Sequence, residues 1–178
     1  AFEKRGHDVL SCDLLESEDN SPFHYQGDIR DLLNQQWDLM IAHPPCTDIA
    51  VSGAAHFKAK IADGRQQRAL DFVQLLMDAN IPRICIENPV SVISSKIRKP
   101  DQIIQPWHFG NDASKKTCLW LKDLPLLVET NRLPGNDRTR RANQTASGQN
   151  KLGPSPTRAR ERSRTYQGIA DAMANQWG

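Results

Sequence analysis

Cys46 directly follows a short apolar run and two consecutive prolines. Residues 37–42 predict a buried strand, and Pro44-Pro45 ends it because proline cannot donate to a sheet ladder. A thiol in a proline-stiffened turn is rigidly placed and partly exposed, as a cysteine nucleophile must be. Taken alone, Cys46 is also compatible with the commoner role of a small core residue.

Glu87 ends the next predicted strand, which runs from Arg83 to Ile86 and is followed by Asn88. Because adjacent parallel strands bring their carboxyl ends to one edge of a sheet, we expect Cys46 and Glu87 to face one cleft. A partly desolvated carboxyl group there can stay protonated and donate a hydrogen bond. The pair therefore favours the nucleophile over the core interpretation of Cys46.

Short apolar strands alternate with amphipathic helices along the chain. This alternation predicts an α/β fold, a mostly parallel sheet with helices on both faces. Ligand sites in such sheets lie at the carboxyl ends of the strands. We predict strands near residues 9–12, 24–28, 37–42, 83–86, 103–107 and 117–121, and helices over about 63–79 and 166–177.

The composition is that of a soluble globular protein, with 38% hydrophobic and 25% charged residues among 178. The longest apolar runs are far shorter than the roughly 20 residues that span a bilayer. With no signal-peptide pattern at its start, the chain is predicted to be cytoplasmic and without a membrane partner. The four cysteines form no CxxC pair, and the His43–Cys46 spacing has no second pair, so no metal site is predicted.

The charge is unevenly distributed along the chain. Residues 129–178 hold nine Lys and Arg against four Asp and Glu, although the net charge of the whole chain is only +2. A basic segment on a near-neutral body is typical of polyanion-binding surfaces, and it is equally typical of a solvated loop. Three regions are predicted: a catalytic core (1–128), a basic loop-rich recognition segment (129–164) and a C-terminal helix that packs back on the core (165–178).

Five motifs, in order, resemble those of the cytosine-C5 DNA methyltransferases, especially the small phage and prophage members. Residues 38–53 resemble the catalytic Pro-Cys motif, and Ile86-Glu87-Asn88 resembles the Glu-Asn motif. Phe109-Gly110 with residues 114–119 resembles the basic motif that enters the following strand. Two acids, Asp13 and Asp28, stand where the family has acids for the cofactor ribose and adenine.

The resemblance implies a Rossmann-like fold, S-adenosylmethionine as cofactor and double-stranded DNA as partner. Cys46 would attack C6 of a flipped cytosine, and Glu87 would hold its N3 and N4 edge. Lys115 would supply positive charge near the base or a neighbouring phosphate. The implied cofactor residues are Asp13, Asp28 and Ile29, and the implied DNA-binding residues are Pro45, Asn88, Lys115, Thr117, Arg158, Arg160, Arg162 and Arg164.

Three departures from the family pattern leave alternatives open. The family's first strand and glycine-rich cofactor loop have no counterpart, so the core is predicted to lack that strand and to bind cofactor less well. Thr47 and Thr117 replace a glutamine and an arginine of the larger enzymes. The region for target recognition spans only about residues 122–160, which predicts a short or degenerate target.

Two other functions are compatible with these residues. Amino-methyltransferases acting on adenine N6 or cytosine N4 also use a Pro-Pro turn, but they need an aromatic residue at the position of Cys46. A non-catalytic DNA-binding relative would explain the absent glycine loop and Thr117, although it leaves Cys46 and Glu87 without a role.

Overall fold

The computed structural model describes residues 1–155 and 157–178. Within those residues the chain alternates short strands and helices, linked by long loops and 3₁₀ turns. The strands are β1 (Ser11–Asp13), β2 (His24–Gln26), β3 (Leu39–Ala42), β4 (Arg83–Pro89), β5 (Gln102–Ile104) and β6 (Thr117–Lys122). The helices are α1 (Phe57–Ala62), α2 (Arg65–Met77), α3 (Ile93–Lys96), α4 (Arg158–Ser163) and α5 (Gln167–Gln176).

The strands form two sheets, a parallel pair of β1 and β2 and a four-stranded sheet in the order β3-β4-β6-β5. The prediction of an α/β fold is confirmed. The four-stranded sheet is mixed rather than purely parallel, because β6 runs antiparallel to both β4 and β5, while β3, β4 and β5 share one direction. Only a 3₁₀ turn at Pro106–His108 lies between β5 and β6. A parallel pairing of these two strands would need a longer crossover, usually a helix.

The core covers both faces of the four-stranded sheet. On one face Ile84 and Ile86 of β4 pack with Trp120 and with helix α2. On the other face Cys85 packs with Leu119 and with helix α5. Successive strand residues point to opposite faces, so this alternation places α2 and α5 on opposite sides of β4.

The predicted elements differ from the observed ones mainly at their ends and in the short helices. The helix expected from Asp63 begins at Arg65, after Gly64 in the left-handed conformation, and Asp63 accepts a hydrogen bond from the Arg65 amide. Helix α4 lies in the basic segment predicted as loop-rich, and α1 was not predicted. Across the described ranges 1–155 and 157–178, no helix is long and apolar enough to cross a membrane.

Candidate active site

The parallel pairing of β3 with β4 brings together the two segments that follow these strands, which carry Cys46 and Glu87. Ala42 pairs with Ile86, so His43 and Glu87 are the next residues on neighbouring strands. The side chains meet across that step, with His43 Nδ1 3.3 Å from Glu87 Oε2. Cys46 follows three residues after His43 as a free, partly buried thiol. The carboxyl ends of β3 and β4 therefore form one edge that carries a thiol and a carboxylate.

The turn that carries Cys46 is fixed to the end of β4 by hydrogen bonds. Asn88 Nδ2 donates to the carbonyl oxygen of Pro44 at 2.8 Å, and Asn88 is only 2% exposed. The Cys46 carbonyl accepts from the amides of Ile49 and Ala50 at 3.1 and 2.8 Å. Asn88, predicted to bind substrate, here uses its amide group to position the turn, while Pro45 is exposed.

Two further bonds join the chain after Cys46 to the chain after β4. The Val51 amide donates to the carbonyl of Val90, and the Val92 amide donates to the carbonyl of Ile49, both at 3.0 Å. The cysteine turn is thus held from both sides, which limits where the thiol can point.

Glu87 is a buried carboxylate surrounded by donors, with 7% of its surface exposed. Lys115 Nζ lies 3.8 Å from Oε1, and the Thr165 hydroxyl donates to Oε2 at 3.4 Å. Burial alone would raise the pKa of Glu87, but the hydrogen bond from His43, the charges of His43 and Lys115, and Thr165 together hold that pKa below its ordinary value. The contacts of Glu87 with His43, Lys115 and Thr165 thus outweigh the effect of desolvation that would favour a protonated carboxyl group.

Lys115 links the site to the C-terminal part of the chain. Its ammonium group donates to the carbonyls of Ser163 and Arg164 at 3.3 and 3.0 Å. These residues directly precede Thr165, so one short segment covers Glu87 and fixes Lys115. Thr117, also predicted to bind substrate, is only 1% exposed, and its hydroxyl donates to the Lys115 carbonyl at 3.0 Å. Thr117 therefore shapes the loop that carries Lys115.

The residues predicted to bind cofactor lie at the ends of β1 and β2. Asp13 and Gln26 are paired neighbours, and the Gly27 amide donates to the Asp13 carbonyl at 2.9 Å. Asp13 Oδ1 accepts from the Leu15 amide at 2.9 Å. Asp28 binds Arg30 with both oxygens, which lowers the pKa of Asp28, mainly through the Arg30 amide.

The third predicted cofactor residue, Ile29, opens a 3₁₀ turn and packs against the core cluster that contains α2. The β1–β2 pairing thus brings Asp13 close to Asp28 and Ile29. These residues belong to the two-stranded sheet and its connecting turn, whereas Cys46 and Glu87 follow strands of the four-stranded sheet.

The four arginines predicted to meet phosphates lie on or next to α4. Arg160 and Arg164 form ion pairs with Glu18, in the loop between β1 and β2. Arg162 is exposed and Arg158 is partly buried on the same helix. Two of these four cations are therefore paired with one shared carboxylate.

His43 and Thr165 are site residues that the sequence did not indicate. His43 was considered only as half of a metal pair, yet it contacts Glu87 because β3 and β4 are in register. Its position one residue beyond a strand end was the available signal. Thr165 is 78 positions from Glu87 and had no such local signal.

The described side chains include no group of three or more His, Cys, Asp or Glu placed to hold a metal ion. What the site offers is a thiol nucleophile, a buried carboxylate and two adjacent cationic or donor groups. No protein-family profile, curated protein or solved structure matches the chain.

Proposed function

We propose that this protein is a DNA (cytosine-5-)-methyltransferase with a Rossmann-like core, acting in the cytoplasm on double-stranded DNA. The observation that carries the proposal is the fixed juxtaposition of the Cys46 turn and Glu87, made by β3–β4 pairing and the bond from Asn88 to Pro44. A nucleophile and an acid that approach one planar ring from different strands fit attack on a pyrimidine. The choice of cytosine as the target base, and of the small phage enzymes as the kind of methyltransferase, rests on the motif resemblance.

Cys46 supplies the electrons of the first step. A lone pair of its thiolate forms a bond to C6 of the cytosine, and the C5–C6 double bond moves its electrons into the ring toward N3. C5 becomes nucleophilic as a result and can take an electrophile. When the C5 proton is then lost to solvent, the C5–C6 double bond forms again and the C6–S bond breaks, which returns the thiolate of Cys46.

Glu87 stabilises the charge that this attack moves onto the ring. One carboxylate oxygen can accept a hydrogen bond from the exocyclic N4 amino group. The electron density that reaches N3 needs a proton, which Glu87 takes up from solvent when the base binds, holds against N3 and takes back when C5 reacts. Such fixed donors act strongly in a water-poor site, where each contributes about 10²–10³-fold to turnover.

S-adenosylmethionine, when bound, supplies an electrophilic methyl group. The residues at the ends of β1 and β2 fit its adenosine part. Asp13 engages only Oδ1 with the Leu15 amide, and its Oδ2 has no hydrogen bond to the described part of the chain, so it is available to ribose hydroxyls. Ile29 offers a partly buried apolar side chain for the adenine ring. Asp28 would have to exchange its Arg30 contacts for the adenine amino group.

Hydrogen exchange at C5 of cytosine tests the base chemistry separately from cofactor binding. Duplex DNA carrying tritium at cytosine C5 is incubated with the protein, because thiol attack makes C5 exchange its hydrogen with water. We expect tritium release by the wild type, none by Cys46→Ser, and full release by Cys12→Ser, which alters another partly buried thiol. Equal release by Cys46→Ser and the wild type would refute the proposal.

Nucleoside mass spectrometry of DNA treated with protein and S-adenosylmethionine then identifies the product. We expect 5-methylcytosine. N4-methylcytosine or N6-methyladenine would instead identify an amino-methyltransferase. Tight DNA binding with neither exchange nor methylation would identify a non-catalytic DNA-binding relative.

A further inference from the structure

A buried arginine, Arg141, stands apart from the site described above. It is 5% exposed, yet its Nε and Nη2 atoms have no hydrogen-bond partner among residues 1–155 and 157–178. The nearest opposite charge is Asp112, with Oδ1 3.6 Å from Nη1. A buried guanidinium is costly to leave unpaired, so a free pair of N–H groups on it indicates a missing acceptor.

Trp107 fixes the orientation of this guanidinium. The Arg141 guanidinium carbon lies 4.6 Å from the centre of the Trp107 ring, and that of Arg132 lies 4.5 Å from the same centre. Stacking occupies the flat face of the Arg141 group and leaves its edge for hydrogen bonds. Nε and Nη2 share one edge of a guanidinium, and that edge binds two oxygens of a phosphate or carboxylate at once.

Arg141 is one of the residues that line a cleft of about 310 Å³ with a net positive lining. Arg140 and Lys151 add two cations to Arg141, against the single carboxylate of Asp112. The cleft also presents the side chains of Gln144 and Thr145. Its net positive charge and its size suit an oxyanion with several acceptor oxygens.

The loop that builds the cleft is held by its own hydrogen bonds. The Arg141 amide donates to Gln144 Oε1 at 2.9 Å, and the Lys151 amide donates to the Asn143 carbonyl at 2.9 Å. Thr145 donates its amide to Gln149 at 2.7 Å. The cations are therefore presented by a loop that is closed by its own hydrogen bonds.

The same loop is attached to the segment that carries Lys115. Asn143 makes a reciprocal pair of hydrogen bonds with the backbone of Ser114, at 2.9 and 3.0 Å. Ser114 directly precedes Lys115, whose ammonium lies beside Glu87. The cleft and the carboxylate site are thus joined through three residues.

We infer that the Arg141 cleft binds a phosphate group and that, on the DNA substrate, it holds a backbone phosphate. The inference rests on the proposed function for the identity of the ligand as DNA. It assigns this role to Arg141, Arg140 and Lys151, whereas Arg160 and Arg164 of the predicted set are paired with Glu18. Phosphate contacts of this kind fix the register of a duplex without reading its sequence.

The first experiment measures inorganic phosphate binding by the whole chain. The Tm is compared in phosphate and in chloride at equal ionic strength, for the wild type, Arg140→Gln and Arg138→Gln. The last variant is the matched control, because Arg138 is exposed, lies two residues away and does not line the cleft. We expect phosphate to raise the Tm of the wild type and of Arg138→Gln. In Arg140→Gln, most of this increase in Tm should be absent.

Arg141 itself is tested with Arg141→Lys, which keeps the charge but removes the two-donor edge. Because Arg141 is buried, this variant is used only if its near-ultraviolet circular dichroism matches the wild type. Lys151→Gln, at an exposed position, replaces it otherwise. Each should lose the phosphate effect. An unchanged effect in all cleft variants would overturn the inference.

The second experiment measures binding to a duplex of A·T pairs only, which offers backbone phosphates but no cytosine. The logarithm of the binding constant falls linearly with the logarithm of salt concentration, by about 0.9 per phosphate contact. We expect Arg140→Gln to reduce this slope by about 0.9 and Arg138→Gln to leave it unchanged. Equal changes in both variants would indicate diffuse attraction and overturn the inference.

The outcomes separate this inference from the proposed function. A cleft-dependent slope without cytosine C5 exchange supports the phosphate site and refutes the methyltransferase. Cytosine C5 exchange together with salt slopes that no cleft variant changes supports the methyltransferase and refutes the phosphate site. A phosphate effect on Tm with no effect on the duplex slope would identify a site for free phosphate, and it would overturn the assignment to DNA.

Discussion

The acidic residues at the carboxyl ends of the two parallel strand pairs, β3–β4 and β1–β2, are held in different ways. At the β3–β4 end, Glu87 is buried and contacts partners from distant segments, namely His43, Lys115 and Thr165. At the β1–β2 end, Asp13 and Asp28 accept hydrogen bonds from residues only two positions away. The first carboxylate is held by the tertiary structure, and the other two are held by their own turns.

This difference predicts that Glu87 contributes to both stability and function, whereas Asp13 and Asp28 contribute to ligand binding alone. A change at Glu87 or Asn88 alters contacts that join several elements, so both folding and function should respond. A change at Asp13 alters one local turn, so only ligand binding should respond. The predictions below test that separation.

The largest effect is expected for Glu87→Gln on turnover. The variant keeps the shape of the side chain but can neither carry the proton for N3 nor hold the negative charge that pairs with Lys115. We expect methyl transfer to fall by about 10²–10³-fold, as for loss of one fixed charge-stabilising group. Single-turnover kinetics on cytosine-containing duplex DNA measure it. A loss confined to the KM would instead place Glu87 in ground-state binding.

Asn88→Ala should show the largest effect on stability. It leaves the Pro44 carbonyl without its buried donor and should lower the free energy of unfolding by about 2 kcal/mol. Gln26→Ala is the matched control, because Gln26 also donates a side-chain amide to a backbone carbonyl, that of Leu14, at an exposed position. We expect this control to change stability by less than about 0.5 kcal/mol. Urea denaturation measures both, and equal losses would contradict the comparison.

Much of the β3–β4 end could be predicted from the sequence, because its signals are local. Continuous apolar runs identify β3 and β4, and prolines identify where each run ends. Parallel neighbours then bring Cys46 and Glu87 to one edge. The contacts of Thr165 with Glu87 and of Lys115 with Ser163 could not be predicted, because they depend on how α5 packs on the sheet.

Strand direction was the main feature of the fold that the sequence did not reveal. The apolar residues of β6 form the same pattern whether the strand pairs parallel or antiparallel to its neighbours, so the pattern does not indicate strand direction. The absence of a helical pattern between Ile104 and Thr117 was the available signal. Helix α4 was missed because its arginines carry no apolar periodicity.

Asp13→Asn should affect cofactor binding and nothing else. The amide keeps an acceptor for the Leu15 backbone but loses the charge that favours ribose hydroxyls. We expect the KM for S-adenosylmethionine to rise about tenfold with turnover unchanged. Asp8→Asn, at another exposed position, serves as the control. A matching fall in thermal stability would show that Asp13 is structural after all.

The smallest effect is a pH dependence of stability that arises from Glu87. Its pKa is lowered in the folded protein relative to the ordinary 4.5, so the unfolded chain binds the proton more tightly. The stability that this carboxylate contributes is therefore complete above about pH 4.5 and is lost as pH falls through the lower folded pKa. The difference in unfolding free energy between wild type and Glu87→Gln should shrink in that acid range. A constant difference down to pH 3 would show that the contacts of His43 and Lys115 do not stabilise the ionised form.

The segment Ser163-Arg164-Thr165 has a consequence for the order of folding. Strands β3 and β4 can pair once residue 89 has left the ribosome, because the whole crossover between them, residues 43–82, precedes β4. Thr165 lies 78 positions beyond Glu87, and contacts of such separation form late because the loop they close is long. Glu87 therefore remains open to water in a nascent chain until this segment docks, and the turn that carries Cys46 is assembled before Thr165 covers Glu87.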